Sequence, residues 1–280
     1  MKWQGREESA NVEDRRGRII RAGGVGISGL GLVVAVIYML MGGNPLDLLQ
    51  MTQQQPARYE ESQGNYQETP EEMQLRKFSA VVLRETEHVW HDVFAKTGRR
   101  YEEPTLTIYS GNVQSECGVA SAGFGPFYCP LDKRIYLDLN FYNEMRHKFN
   151  APGDFAMAYV IAHEVGHHVQ NLLGILGEFH SLRSRVSQEE FNAYSVKLEL
   201  QADYLAGVFA HYIQNKNLLD QGDFEEAMTA ASAVGDDTIQ KQTQGYIIPE
   251  SFTHGTSKQR MGWFRKGFEV GDLSQGDTFR

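Results

Sequence analysis

The sequence predicts an α+β fold, predominantly helical with a small β-sheet, preceded by one transmembrane helix. Three observations carry that expectation: an uncharged apolar stretch at residues 22–43, long segments with helical apolar spacing after it, and two short strand-like runs flanking a glycine-rich loop. At 280 residues the chain is long enough to bury a sizeable core.

Residues 1–21 are rich in charge and are expected to form a cytoplasmic tail. The stretch 22–43 has no charged residue and, at about 1.5 Å per residue, spans roughly 33 Å, enough for a hydrocarbon core of about 30 Å. Its seven glycines would make a poor soluble helix. A signal peptide is the rival reading, but its apolar region is usually about 7–15 residues, and no A-x-A-like cleavage site follows. Arg15, Arg16, Arg18 and Arg21 precede the stretch, whereas no Lys or Arg lies in 44–57. The positive-inside rule therefore expects a single-pass inner-membrane protein, its N-terminus cytoplasmic and the following domain periplasmic or extracellular.

Residues 44–70 are polar and Gln-rich, as in a flexible linker, and 71–280 form the expected domain. Apolar residues at 75, 78, 82, 89, 93 and 94 give a helix face over 71–95, stopped by Thr97-Gly98. His88 and His91 on it are expected to be solvated or capping groups. Strands are expected at 105–109 and 134–139, then helices near 141–148, at 155–173, from a capping box at 187–190 to about 215, and at 224–234 and 256–267. Between the strands, Cys117 and Cys129 enclose a loop-like run, GVASAGFGPFY. An oxidising compartment would join them, and closing that loop stabilises by about 3 kcal/mol.

Net charge is −9. Residues 1–43 carry six basic and four acidic residues, a net +2, so the remainder carries −11. That balance argues against a nucleic-acid partner. The oligomeric state is not legible.

The chemistry-bearing stretch is YVIAHEVGHHVQN, 159–171. On a helix, His163 and His167 project one turn apart from one face, where both rings can reach a single Zn²⁺. Glu164 points about 100° away and is placed to act as a base toward water instead. The metzincin pattern would put a third His at 173, where this chain has Leu. The next helix offers Glu199 and Asp203 at i and i+4, with Ala202, Ala206 and Ala210 beside them to permit close approach. Glu199 is the expected third ligand, and Asp203 the acceptor that orients a ligand imidazole. Three protein ligands leave a position open, as in catalytic rather than structural zinc sites. His168, turned off the ligand face, is expected to pack. His254, in SFTHGTSKQR, or Arg260 could stabilise an oxyanion.

These residues, together with NVEDRRG, CGVASAGFGPFYCP, IYLDL, HEVGHHVQ, ELQADYLAG, GDDTIQ and FTHGTSKQR, make the chain resemble a bacterial family of inner-membrane-anchored neutral zinc metallopeptidases. HExxH, a downstream ExxxD and a later Thr-His segment are similar to a broader gluzincin-type pattern. The resemblance implies a zincin-like metallopeptidase domain in which His163, His167 and Glu199 bind Zn²⁺, Glu164 is the catalytic base and His254 a second catalytic residue. Gly255 departs from the Thr-His-Pro of membrane-embedded peptidases. The implied activity is hydrolysis of a peptide or protein substrate, as an endopeptidase, with strand 134–139 pairing with the extended substrate. The competing readings are a non-catalytic, zinc-stabilised binding module and an amidase acting on cell-wall peptides.

Overall fold

The structure, a computed structural model, describes residues 1–23, 58–63 and 66–280. The expected membrane span at 22–43 therefore lies, from residue 24 onward, outside the described residues. Ala22 and Gly23 end a strand, β2 (Arg18–Gly23), that pairs antiparallel with β3 (Arg58–Gln63). Strand β3 occupies part of the segment expected to be a flexible linker. Among the described residues no helix is long and apolar enough to cross a membrane.

Helix α1 (Pro70–Lys96) begins where its sequence says it should: Thr69 and Glu72 exchange side-chain-to-backbone hydrogen bonds in a capping box, with Pro at the first turn. Its apolar face, including Phe78, Val82, Val89, Trp90, Val93 and Phe94, is buried in the main core. His91 does find a carboxylate, Glu103, with its Nε2 2.6 Å from Glu103 Oε1. That partner lies beyond the helix, so local spacing could not show it.

The main sheet has four strands in the order β1 (Val12–Asp14), β4 (Thr105–Tyr109), β8 (Arg134–Asp138) and β7 (Phe127–Cys129). β1, β4 and β8 run parallel, and β7 is antiparallel to β8. Leu106, Ile108, Ile135 and Leu137 join the main core. The loop between the cysteines is more ordered than its composition suggests. A two-stranded ribbon, β5 (Asn112–Ser115) with β6 (Gly118–Ser121), leads into β7. The Cys117–Cys129 disulfide ties the ribbon's turn to the end of β7.

The sheet corrects one expectation. Strand β8 is paired with β4 over 134–138 and, on its other side, with β7 over 134–136, so the first half of the expected 134–139 run has no free edge to offer a substrate. Among the described residues β7 is the terminal strand of the sheet and its outer edge pairs with no other strand.

Four further helices build the site: α3 (Asp154–Leu172), α5 (Gln188–Asn215), α6 (Asp223–Ala233) and α8 (Ser257–Val270), with α2 (Phe141–His147), α4 (Ile175–Leu182) and α7 (Asp236–Gln244) between them. Ser187 with Glu190 and Thr256 with Gln259 cap α5 and α8. Helices α4 and α7 lie in stretches to which sequence reading assigned no element.

Residues 1–16, expected as a separate tail, pack against this body. Met1 is buried, its amino group 2.8 Å from Asp154 and 3.0 Å from Asp223. Trp3 meets Phe78 edge-on at 5.5 Å. Arg6 Nε and Nη2 donate to Glu85 Oε1 at 2.8 and 2.6 Å. β1 then extends the main sheet beyond β4.

Candidate metal centre

Helices α3 and α5 cross where α3 has Gly166. A Cβ there would lie 3.0 Å from the Ala202 backbone oxygen, so a larger residue would push the helices apart. The small alanines on α5 and this glycine on α3 together set the close approach.

That crossing brings Glu199 against the two motif histidines. His163 Nε2 is 3.1 Å from Glu199 Oε2, and His167 Nε2 is 3.4 Å from Glu199 Oε1. One ligand atom from each of His163, His167 and Glu199 lies within 4.8 Å of the others. Two ligands about 2.0–2.1 Å from a tetrahedral Zn²⁺ stand about 3.3–3.4 Å apart, so the nitrogen and oxygen donors fit that ion.

The far side of each imidazole is held. His163 Nδ1 donates to Asp203 Oδ1 at 2.9 Å, as the i, i+4 spacing from Glu199 led us to expect. Asp203 is fully buried and also accepts from Tyr159 Oη at 2.6 Å and from Arg260 Nε and Nη2 at 2.8 and 3.0 Å. Burial alone would raise its pKa, but Arg260 and His163 outweigh it and hold the carboxyl below its usual range. Arg260 is itself 3% exposed, and its Nη1 donates to the Val234 carbonyl. Its guanidinium is thus committed to Asp203, Tyr159 and the end of α6, away from an oxyanion role. His167 Nδ1 donates to Gln170 Oε1 at 2.9 Å, while Gln170 Nε2 donates to the Leu198 carbonyl and to Gln201.

Glu164 is 8% exposed and touches no ligand atom within hydrogen-bond distance. Burial, helped by the nearby Glu199 charge, raises its pKa to about 7, while His163 and the Tyr128 backbone N–H act in the opposite direction. Tyr128 belongs to the terminal strand β7, which places that strand beside the motif helix. His168, expected to pack, is completely buried and explains the anchorage. Its Nε2 donates to the Glu102 carbonyl at 2.7 Å, and its Nδ1 accepts from Tyr128 Oη at 2.9 Å. Burial lowers its pKa to about 4, so it stays neutral.

Burial lowers the pKa of His163, but Asp203 and Glu199 overcome this and raise it to about 9. His167, by contrast, is lowered to about 4 by burial.

His254 lies in the loop before α8, and its neighbour Gly255 packs against Val196 and Leu200 of α5, the helix that carries Glu199. Asp236 builds that loop. Its Oδ2 accepts the backbone N–H groups of Thr253, His254 and Gly255 at 2.8, 2.6 and 2.9 Å, and His254 Nδ1 donates to Oδ1 at 3.2 Å. Gly255 has φ +90°, which Pro cannot adopt, and its Cα hydrogen side faces Val196 and Leu200 of α5. The departure from Thr-His-Pro is therefore a different turn that still presents the histidine.

Of the residues that sequence reading named, the structure brings His163, His167, Glu199 and Asp203 together, buries Glu164 on the same helix as the two histidines, and places His254 on a loop packed against α5. Sequence reading missed Tyr159, Gln170 and Asp236. The first two lie at i−4 and i+3 from the ligand histidines, so helical spacing could have found them. Asp236 falls in the GDDTIQ stretch but acts across a long loop, so its role was not legible there.

The chain matches the model of the family described as "Putative neutral zinc metallopeptidase" over residues 1–279. It is 45% identical over 288 aligned residues to the uncharacterized protein YpfJ of Escherichia coli (strain K12), covering 100% of this chain and 99% of that protein. It is 43% identical over 190 residues to the uncharacterized proteins Mb2605 of Mycobacterium bovis and Rv2575 of Mycobacterium tuberculosis, covering 64% of this chain and 63% of each. No solved structure matches.

Proposed function

The chain belongs to the neutral zinc metallopeptidase family, and from that premise we propose that it is a zinc-dependent endopeptidase acting on an extended peptide or protein substrate. The observation that supports this most is the convergence of His163 Nε2, His167 Nε2 and the Glu199 carboxylate beside a buried, non-ligating Glu164. A module using zinc only to hold its fold has no use for Glu164, whose burial costs free energy whenever it is ionised.

His163, His167 and Glu199 would hold the ion. When bound, Zn²⁺ supplies Lewis acidity, polarising a carbonyl and making water a competent nucleophile near neutral pH. Glu164, buried beside the ligands without being one of them, takes a proton from the attacking water and delivers it to the leaving amine. Asp236 fixes Nδ1 of His254, leaving Nε2 to donate toward the oxygen that gains charge. The unpaired edge of β7 accepts the substrate by strand addition. The disulfide favours an oxidising, exported compartment. Membrane attachment rests on the apolar composition of 22–43 alone.

Metal analysis and a peptide-library digest of the purified chain test this reading. One Zn²⁺ per chain is expected, with cleavage abolished by a chelator and restored by zinc. Glu199→Ala should lose most of the zinc. A chain that binds no zinc, or cleavage indifferent to its removal, would overturn the reading.

A further inference from the structure

The two flanks of the apolar stretch are in contact, and their contacts are those of a folded domain. Glu85 and Glu87 of α1 are 2% and 0% exposed, buried carboxylates that need partners. Much of that need is met from before the stretch. Arg6 donates twice to Glu85, while Ser9 Oγ and Asn11 Nδ2 donate to Glu87 at 2.5 and 2.9 Å. The backbone joins as well. Ser9 N donates to the Ala80 carbonyl at 3.0 Å, Leu106 N to the Asn11 carbonyl at 2.9 Å, and Arg15 N to the Ile108 carbonyl at 2.7 Å. Val12, Glu13 and Asp14 pair in register with Leu106, Thr107 and Ile108, and Arg134 of β8 ion-pairs with Glu13.

We infer that residues 1–16 are an integral part of the zinc domain and occupy the same compartment as residues 66–280. A single membrane crossing between them would place them on opposite sides, stripping the sheet of β1 and leaving buried Glu85 with Lys216 and buried Glu87 with Arg84 but without Arg6, Ser9 and Asn11. The basic cluster Arg15–Arg21 reads, on sequence, as a cytoplasmic topology signal. In the fold, Arg15 and Arg16 are engaged with Glu13, Asp14 and Glu68. Their charge serves the domain, which removes the ground for using it to orient a membrane span.

Single cysteines at two exposed positions, Gln4→Cys and Glu269→Cys, test this in cells producing the full chain. The native cysteines are joined and do not compete for reagent. A membrane-impermeant maleimide should treat the two positions alike, labelling both in intact cells or both only after permeabilisation. Labelling of one and protection of the other in intact cells would overturn the inference. Docking itself is tested on the purified chain by Arg6→Glu, which aims a carboxylate at buried Glu85 and should lower the melting temperature by at least about 2 °C. An unchanged melting temperature would equally overturn it.

Discussion

The two histidine-bearing walls of the site are held to different degrees. On the wall formed by α3, α5 and α8, the His163 side chain is 8% exposed, its partner Asp203 is fully buried, and Arg260 locks Asp203 from behind. On the opposite wall, the His254 side chain is 39% exposed and Asp236 is 12% exposed. A metal-holding group gains from being over-determined, since misplaced donors lose affinity. A group that must meet a substrate has to face solvent, so its support comes from one side only. The same carboxylate–imidazole pairing thus serves stability on one wall and presentation on the other.

Removing the buried support should give the largest effect and would break the comparison if it did not. Arg260→Met leaves Asp203 buried with much of its charge compensation gone, an expected loss of about 3–5 kcal/mol. Thermal or denaturant unfolding reads that loss. Chelator competition should show zinc affinity lowered by about 10–100-fold, because Asp203 then orients His163 less well. A stability within about 0.5 kcal/mol of wild type would mean the Arg260–Asp203 pair does not brace the site.

On the open wall the pattern should invert. His254→Asn should leave zinc content and melting temperature near wild type while lowering turnover by about 10²–10³-fold, the usual worth of one oxyanion donor. Steady-state kinetics should place the loss mainly in kcat. A collapse in stability would show His254 to be part of the structural wall.

A smaller effect sharpens the distinction between the two ligand histidines. The pKa of His163 is raised to about 9 and that of His167 lowered to about 4. At pH 8 the metal-free site therefore carries one proton, on His163, that zinc must expel; His167 is already neutral. NMR titration of the metal-free chain should find the His163 ring losing its proton near pH 9, with the His167 ring neutral at every pH above about 5. Two rings that titrate together would mean the two histidines are electrostatically alike.

The sequence showed the site more fully than the sheet. HExxH and ExxxD are helical spacings, and helices keep such geometry locally, so Glu199 and Asp203 could be placed before any fold was known. Even the caps at Thr69, Ser187 and Thr256 are local hydrogen-bond motifs. The parallel β1–β4 pairing is different, because it joins Val12 to Leu106 across a long interval and leaves no periodic signature in three residues. The cysteine loop misled through its glycines, several of which serve tight turns within an ordered ribbon. Gly118 and Gly125, at φ +121° and +78°, are two of them. Charge partners were hidden too, since the arginines at 15 and 16 were read only as the flank of an apolar stretch, while in the fold they pair with Glu13 and Asp14.

The central claim is that Glu164 is a base beside a metal held by other residues. Glu164→Gln preserves size and removes the base without touching a ligand. Peptide cleavage, zinc content and melting temperature should be measured together on the wild-type and variant chains. The account predicts one Zn²⁺ per chain and an unimpaired melting temperature in both, with turnover lowered by about 10²–10⁴-fold in the variant. Undiminished cleavage by a folded, zinc-loaded Glu164→Gln chain would contradict it.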